Sequence, residues 1–124
     1  MNIKEYYVPS TYLEILSYFM LKNDFVCGVY SERKLIAFSC VSYSSKKKYY
    51  TIEDTAVLEE YRGSGYQKQM WKYIIDHTPN STSIYCTIHP HNHISLSNAL
   101  SSGFRAIDCK IKYHSVRYIL KYSR

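Results

Sequence analysis

The chain has 124 residues, with 16 Lys and Arg against 10 Asp and Glu, for a formal net charge of +6. That length fits a single domain over residues 1–124, built around one core. Hydrophobic residues at 46% and charged residues at 21% exclude wholesale disorder.

The 15 tyrosines are scattered rather than repeated. Tyrosine packs well in half-buried strands, so they read as core filling rather than as a tyrosine-specific function. No stretch reaches the roughly 18 uninterrupted apolar residues of a membrane span, and the most apolar one, residues 12–21, is broken by Glu14 and Ser17. The first residues, MNIKEYY, lack the basic start and apolar run of a secretory signal. Cys27, Cys40, Cys86 and Cys109 form no CxxC pair and each sits in an apolar, strand-like segment. They read as reduced, buried thiols of a cytoplasmic protein. Asn80-Ser81-Thr82 matches a glycosylation sequon but, without secretion, marks only a polar loop.

In chain order, Pro9-Ser10 precedes Tyr12, Leu13, Ile15, Leu16 and Phe19, which are spaced for an amphipathic helix. Strand-like runs follow at residues 25–30 and 35–43, joined by the short polar link Ser31–Arg33 that suits a hairpin. After a Ser/Lys turn at 44–48, residues 49–58 make a third strand carrying Glu53 and Asp54. Gly63 and Gly65 open a helix with Tyr66, Met70, Trp71, Ile74 and Ile75 on one side, and Pro79 ends it. Residues 83–88 form a strand stopped by Pro90. Leu96, Ala99 and Leu100 line a short helix with Gly103 as its C-terminal cap. Residues 104–122 alternate as two strands turning near His114-Ser115. The order predicts a mixed sheet covered by helices.

Positive charge gathers at Lys46, Lys47 and Lys48 and in residues 105–124, where Arg105, Lys110, Lys112, Arg117, Lys121 and Arg124 face one acid, Asp108. A solvated face, an anionic ligand and nucleic acid all fit that distribution, and charge alone does not choose among them. His89, His91 and His93 would share a face of an extended segment, a spacing compatible with zinc. Pro90 and a helix start near His93 break it, so no metal is expected.

The most informative segment is Val57-Leu58-Glu59-Glu60-Tyr61-Arg62-Gly63-Ser64-Gly65-Tyr66-Gln67, a strand running into a glycine turn that opens a helix. Such a turn presents unpaired N–H groups at the positive end of a helix dipole, which suits a phosphate or pyrophosphate. It is neither the dinucleotide GxGxxG pattern nor a Walker loop. A second segment, Ile88-His89-Pro90-His91-Asn92-His93-Ile94-Ser95, leads eleven residues after Asn92 to Gly103-Phe104.

Together the two segments resemble the GNAT superfamily of acyl-CoA-dependent N-acyltransferases over residues 50–122. Arg62 to Gln67 is similar to its Q/R-x-x-G-x-G/A pyrophosphate loop, in the RGxGxQ form of a bacterial sub-group, with Gln67 where Gly or Ala is usual. The run from Asn92 through Ser95 to Gly103-Phe104 is similar to its second block. The resemblance implies an α/β (α+β) fold with a mixed, mostly antiparallel sheet flanked by helices and a short N-terminal part. It implies acetyl-CoA as co-substrate and no metal. The strand Thr55, Ala56, Val57 and Leu58 would hold the pantetheine arm and thioester carbonyl. Backbone N–H groups of Arg62, Gly63, Ser64, Gly65, Tyr66 and Gln67 would hold the pyrophosphate, with Asn92 and Ser95 on the pantetheine side. Glu53 is the first candidate for the general base. Asp54, its neighbour, should point to the opposite face, so that only one of the two reaches the site.

The family often carries a tyrosine seven residues after the asparagine as an acid for the leaving thiolate, and here that position is Ala99. Tyr66, Tyr85, Tyr113 and Tyr118 are other phenols that could donate. The implied activity is transfer of acetyl from acetyl-CoA to a primary amine of a small molecule, peptide or protein lysine, by direct attack in a ternary complex. Two alternatives stay open: a non-catalytic acyl-CoA-binding module that regulates a protein partner, and a basic nucleic-acid-binding domain without CoA. Aminoacyl-tRNA is a special acceptor that positive charge would favour. The resemblance is compatible with a homodimer and with no membrane partner.

Overall fold

The computed structural model describes residues 25–112 and 114–123. The helix expected around residues 11–22 and the phenol of Tyr113 lie outside the described residues. Six strands form one sheet in the order β1-β2-β3-β4-β6-β5. They are β1 (Phe25–Ser31), β2 (Lys34–Ser44), β3 (Tyr49–Val57), β4 (Ser83–Ile88), β5 (Arg105–Lys112) and β6 (Ser115–Tyr122). Only β3 and β4 run parallel; every other neighbouring pair is antiparallel. Helix α1 (Tyr66–Asp76) makes the crossover between them, and α2 (His93–Ser101) joins β4 to β5. The mixed, mostly antiparallel sheet expected from the sequence is therefore present.

Local chemistry accounts for the elements. The β1–β2 hairpin closes on the Ser31–Lys34 pair with only Glu32 and Arg33 between, both at positive φ (49° and 68°). That is the twist-compatible two-residue turn of hairpins, made here without the usual Asn-Gly. β4 stops before Pro90, which has no N–H to donate to a ladder. Asn92 then caps α2, its Oδ1 accepting the Ser95 N–H at 3.2 Å.

Both helices pack on one face of the sheet. Met70, Trp71 and Ile74 of α1 and Ala99 of α2 share a buried cluster with Ala37, Val41, Ile52, Ile84, Cys86, Ile88 and Leu120. Tyr66 and Ile75 pack against its edge, as the helical spacing of the sequence requires. Phe104 is fully buried between Trp71 and Tyr122, with ring centroids at 5.4 and 5.6 Å. Burying a phenylalanine this completely stabilises the fold by about 2–3 kcal/mol. Gly103 before it sits at φ +103°, and a Cβ there would come within 2.8 Å of the Tyr122 ring.

Three sequence expectations are corrected. β3 ends at Val57, not Leu58, because the Leu58 N–H turns to the Ile36 carbonyl at 2.9 Å and Leu58 caps a 3₁₀ turn, Glu59–Tyr61. Cys27, Cys40 and Cys86 are buried free thiols, but Cys109 is exposed, as is every other residue of β5. Leu100 is 43% exposed, so the buried stripe of α2 is Leu96 and Ala99 without it. No described helix is long and apolar enough to cross a membrane.

Candidate active site

The parallel ladder between β3 and β4 is short. Tyr49, Tyr50 and Thr51 pair with Ser83, Ile84 and Tyr85, and pairing stops there although the strands continue to Val57 and Ile88. The two residues that follow Ile52 on β3 supply the cause. On the β2 side Val41 pairs with Ile52 and Ser39 with Thr55, so Cys40 alone opposes Glu53 and Asp54. This is a β-bulge, which kinks a strand and increases its twist. It turns β3 away from β4. Among the described residues, 52–57 have no ladder partner on β4, so the backbone edge of Thr55, Ala56 and Val57 opens into a cleft. Trp71 pins the bent strand from above: its indole N–H donates to Thr55 Oγ1 at 3.3 Å, and that hydroxyl lies 2.8 Å from Ser39 Oγ.

The glycine turn follows at once. Gly63 and Gly65 take φ of +80° and +83°, the left-handed region that suits glycine, and Gly65 is the N-cap of α1. No side chain caps this helix and its first turn holds no acidic residue. The N–H groups of Tyr66, Gln67 and Lys68 are thus left without a side-chain cap at the positive end of the helix dipole. A Cβ on Gly63 or Gly65 would have nothing within 4 Å, so the space over the turn is open. Arg62 contributes differently: its own N–H goes to the Glu59 carbonyl at 3.2 Å, and its Nε donates to the Val57 carbonyl at 3.2 Å.

A cavity of about 590 Å³ joins these features. Thr55, Ala56 and Val57 line it from the strand, Tyr61, Arg62, Gly63, Gly65, Tyr66 and Gln67 from the turn, and Asn92, Ile94, Ser95 and Asn98 from α2. Bare N–H donors, open space above two glycines and an unpaired strand edge fit the pyrophosphate and pantetheine arm of an acyl-CoA. Asn98 Nδ2 donates to Gln67 Oε1 at 2.8 Å and Gln67 Nε2 donates to Ser95 Oγ at 3.2 Å, tying α1 to α2 across the cavity.

Glu53 and Asp54 do not line the cavity. The expectation that they point to opposite faces is corrected by the bulge, which inserts one residue and breaks the alternation. Ile52 and Thr55 both face the helices, and both carboxylates stand exposed on the other face. Glu53 accepts a hydrogen bond from the Ser42 hydroxyl at 3.4 Å. Burial first, then the charges of Asp54 and Glu53, pushes the Cys40 thiol up to about 12, which places both acids near one side chain. Among the described residues no three His, Cys, Asp or Glu side chains are grouped to hold a metal.

The profile of the acetyltransferase (GNAT) family matches residues 3–104. The chain belongs to that family. It is accordingly an acyltransferase of the GNAT type. No curated protein matches the sequence, but solved structures share its fold. It is similar to an IAA acetyltransferase from Bacillus cereus at 12% identity and TM-score 0.78, over 100% of this chain and 97% of that one. It is also similar to the ribosomal-protein-S18-alanine N-acetyltransferase from Escherichia coli, at 14% identity and TM-score 0.77, over 90% and 77% of the two chains. A third is Arabidopsis thaliana Naa50 in complex with the bisubstrate analogue CoA-Ac-MVNAL, at 16% identity and TM-score 0.75, over 93% and 92%.

Within this GNAT fold most residues singled out in the sequence meet around one cavity. Four do not: besides Glu53 and Asp54, Ser64 and Leu58 are outside its lining, and the Leu58 N–H is already paired with β2. Tyr61, Ile94 and Asn98 line the cavity without having been singled out. Ile94 had a signal, an apolar residue out of phase with Leu96 and Ala99 and now 76% exposed. Ala99 is fully buried. Of the candidate phenols among the described residues, Tyr66 alone lines the cavity; Tyr85 packs edge-on against Tyr49 at 4.7 Å, and Tyr118 packs against the core.

Proposed function

We propose that the protein transfers the acetyl group of acetyl-CoA to a primary amine of a small molecule, a peptide or a protein lysine, by direct attack in a ternary complex. The observation that carries this reading is the meeting of an unpaired β3 edge and an uncapped helix start at one cavity. Acetyl-CoA supplies an activated thioester. The chain supplies position and charge. Backbone groups of Thr55, Ala56 and Val57 take the pantetheine arm as a strand would, and hold the thioester carbonyl where oxyanion charge develops. The first N–H groups of α1, with the turn of Gly63 and Gly65, take the pyrophosphate. The Asn92 amide and Ser95 line the pantetheine side.

The acceptor approaches from the sheet face that carries Glu53 and Asp54. An ammonium must lose its proton before attack, and a positioned carboxylate accepting it is worth about 10²–10⁴-fold. Glu53 is the first candidate, oriented by Ser42, while Asp54 beside it attracts the cation. The leaving thiolate, whose conjugate thiol has an ordinary pKa of about 8.5, departs at neutral pH without a strong acid. Two of the similar proteins carry a protein alanine or a peptide analogue in their names, which favours peptide and protein amines among the acceptor classes.

One observation favours a second reading, a non-catalytic acyl-CoA-binding module acting on a protein partner. The family's tyrosine position is the buried Ala99. Calorimetry with acetyl-CoA and CoA, followed by mass spectrometry for free CoA in the presence of an amine panel, separates the two. Binding with amine-dependent release supports the transferase, and binding without release supports the module. No binding to the wild type, or unchanged binding in folded Gly65→Glu, overturns the site.

A further inference from the structure

The geometry points to a side-chain clamp, Gln67 held by Ser95 and Asn98, that sets the spacing of the α1 start from α2 across the cavity. It makes Gln67 and Asn98 positioning residues for the acyl-CoA. The inference rests on the proposed function and deepens it.

Gln67 is the second residue of α1, so its own backbone N–H is one of the helix-start donors without a side-chain cap. Its amide is engaged at both ends, donating to Ser95 Oγ at 3.2 Å and accepting from Asn98 Nδ2 at 2.8 Å. Ser95 and Asn98 are three residues apart on α2 and therefore project to the same side. The Ser95 N–H in turn binds the cap oxygen of Asn92. A continuous hydrogen-bonded path thus runs from the anion turn to the α2 cap, linking segments 28 and 31 residues apart. All of these residues line the cavity.

Where the family places Gly or Ala at the position of Gln67, the turn has no side chain with which to tie itself down. Here both ends of the amide are used, and the side chain is held toward α2 instead of lying over the N–H donors. Donors fixed before the ligand arrives need no ordering when it binds, and that saving appears as affinity.

The test is calorimetric CoA binding to wild type, Asn98→Leu, Gln67→Ala and the double variant, with the thermal midpoint of each. Removing the tie is expected to weaken CoA about fivefold, the worth of one ordinary neutral hydrogen bond. The double variant should be no weaker than the weaker single one, because both substitutions break the same link. In turnover, the KM for acetyl-CoA should rise while kcat stays, a split that loss of packing alone does not produce. Gln67→Ala keeps the test open if Asn98→Leu fails to fold. Wild type that binds CoA beside variants that bind equally well, or single effects that simply add, overturns the clamp and spares the proposed function. Wild type that does not bind CoA overturns both.

Discussion

Ile52 and Thr55 face the same side of the sheet although they are three positions apart on β3. Ile52 packs into the helix-side core, and Thr55 accepts the Trp71 indole N–H. A regular strand would put them on opposite faces. The bulge at Glu53 and Asp54 absorbs the extra residue, bends β3 off β4, and presents two carboxylates together on the far face. One insertion therefore accounts for both the open strand edge that lines the cavity and the acidic pair on the far face.

The acidic pair carries the first prediction. Glu53→Gln should lower kcat about 10²–10⁴-fold, as loss of a general base does, and leave CoA affinity unchanged because Glu53 does not line the cavity. Asp54→Asn should chiefly raise the KM for the amine. Steady-state kinetics on both variants reads this, and a larger kcat loss in Asp54→Asn would reverse the two roles.

Gly103 and Gly63 both sit at positive φ, yet their substitutions should differ. At Gly63 a Cβ meets open space, so Gly63→Ala carries only the left-handed penalty, about 1 kcal/mol. At Gly103 the Cβ comes within 2.8 Å of the Tyr122 ring, which packs on Phe104. Overpacking adds to the backbone term there, for about 3 kcal/mol. Urea denaturation midpoints measure the difference.

The β1–β2 turn leaves room for improvement. Arg33 holds φ at 68° in a position where glycine is the natural choice. Arg33→Gly should stabilise the protein by about 0.5–1 kcal/mol, read as a rise in the denaturation midpoint with no change in CoA binding.

The thiols predict an alkaline weakness. Burial raises Cys27 from its ordinary 9.0, and pushes Cys40 and Cys86 up to about 12. In the unfolded chain these groups ionise near 9, while in the folded chain they stay protonated. The unfolded state therefore binds fewer protons above that pH, and stability present below pH 9 is lost as pH rises, continuing toward about 12 for Cys40 and Cys86 at about 1 kcal/mol per pH unit for each of those two. Denaturation midpoints from pH 8 upward should fall, and less steeply in Cys86→Ala. At pH 8 a thiol reagent should modify Cys109 first, since it alone of the four is exposed.

Local pattern alone determined a large share of this protein. The helical spacing of Met70, Trp71 and Ile74, the glycine turn, the stop at Pro90 and the cap at Gly103 are short-range signals, and each acts where the sequence places it. The two segments that resemble the GNAT family could also be read, because an anion turn and a helix cap are built from a few consecutive residues. What the sequence could not determine depends on partners distant along the chain. The bulge exists because of register with β2, and alternation along β3 by itself gave the wrong face for Asp54. Cys109 alternates like a core residue but lies on a strand with every residue open to solvent, which only the packing of the whole fold decides. The tie from Gln67 to Asn98 spans 31 residues, and it required the fold to bring the start of α1 beside α2 at one cavity.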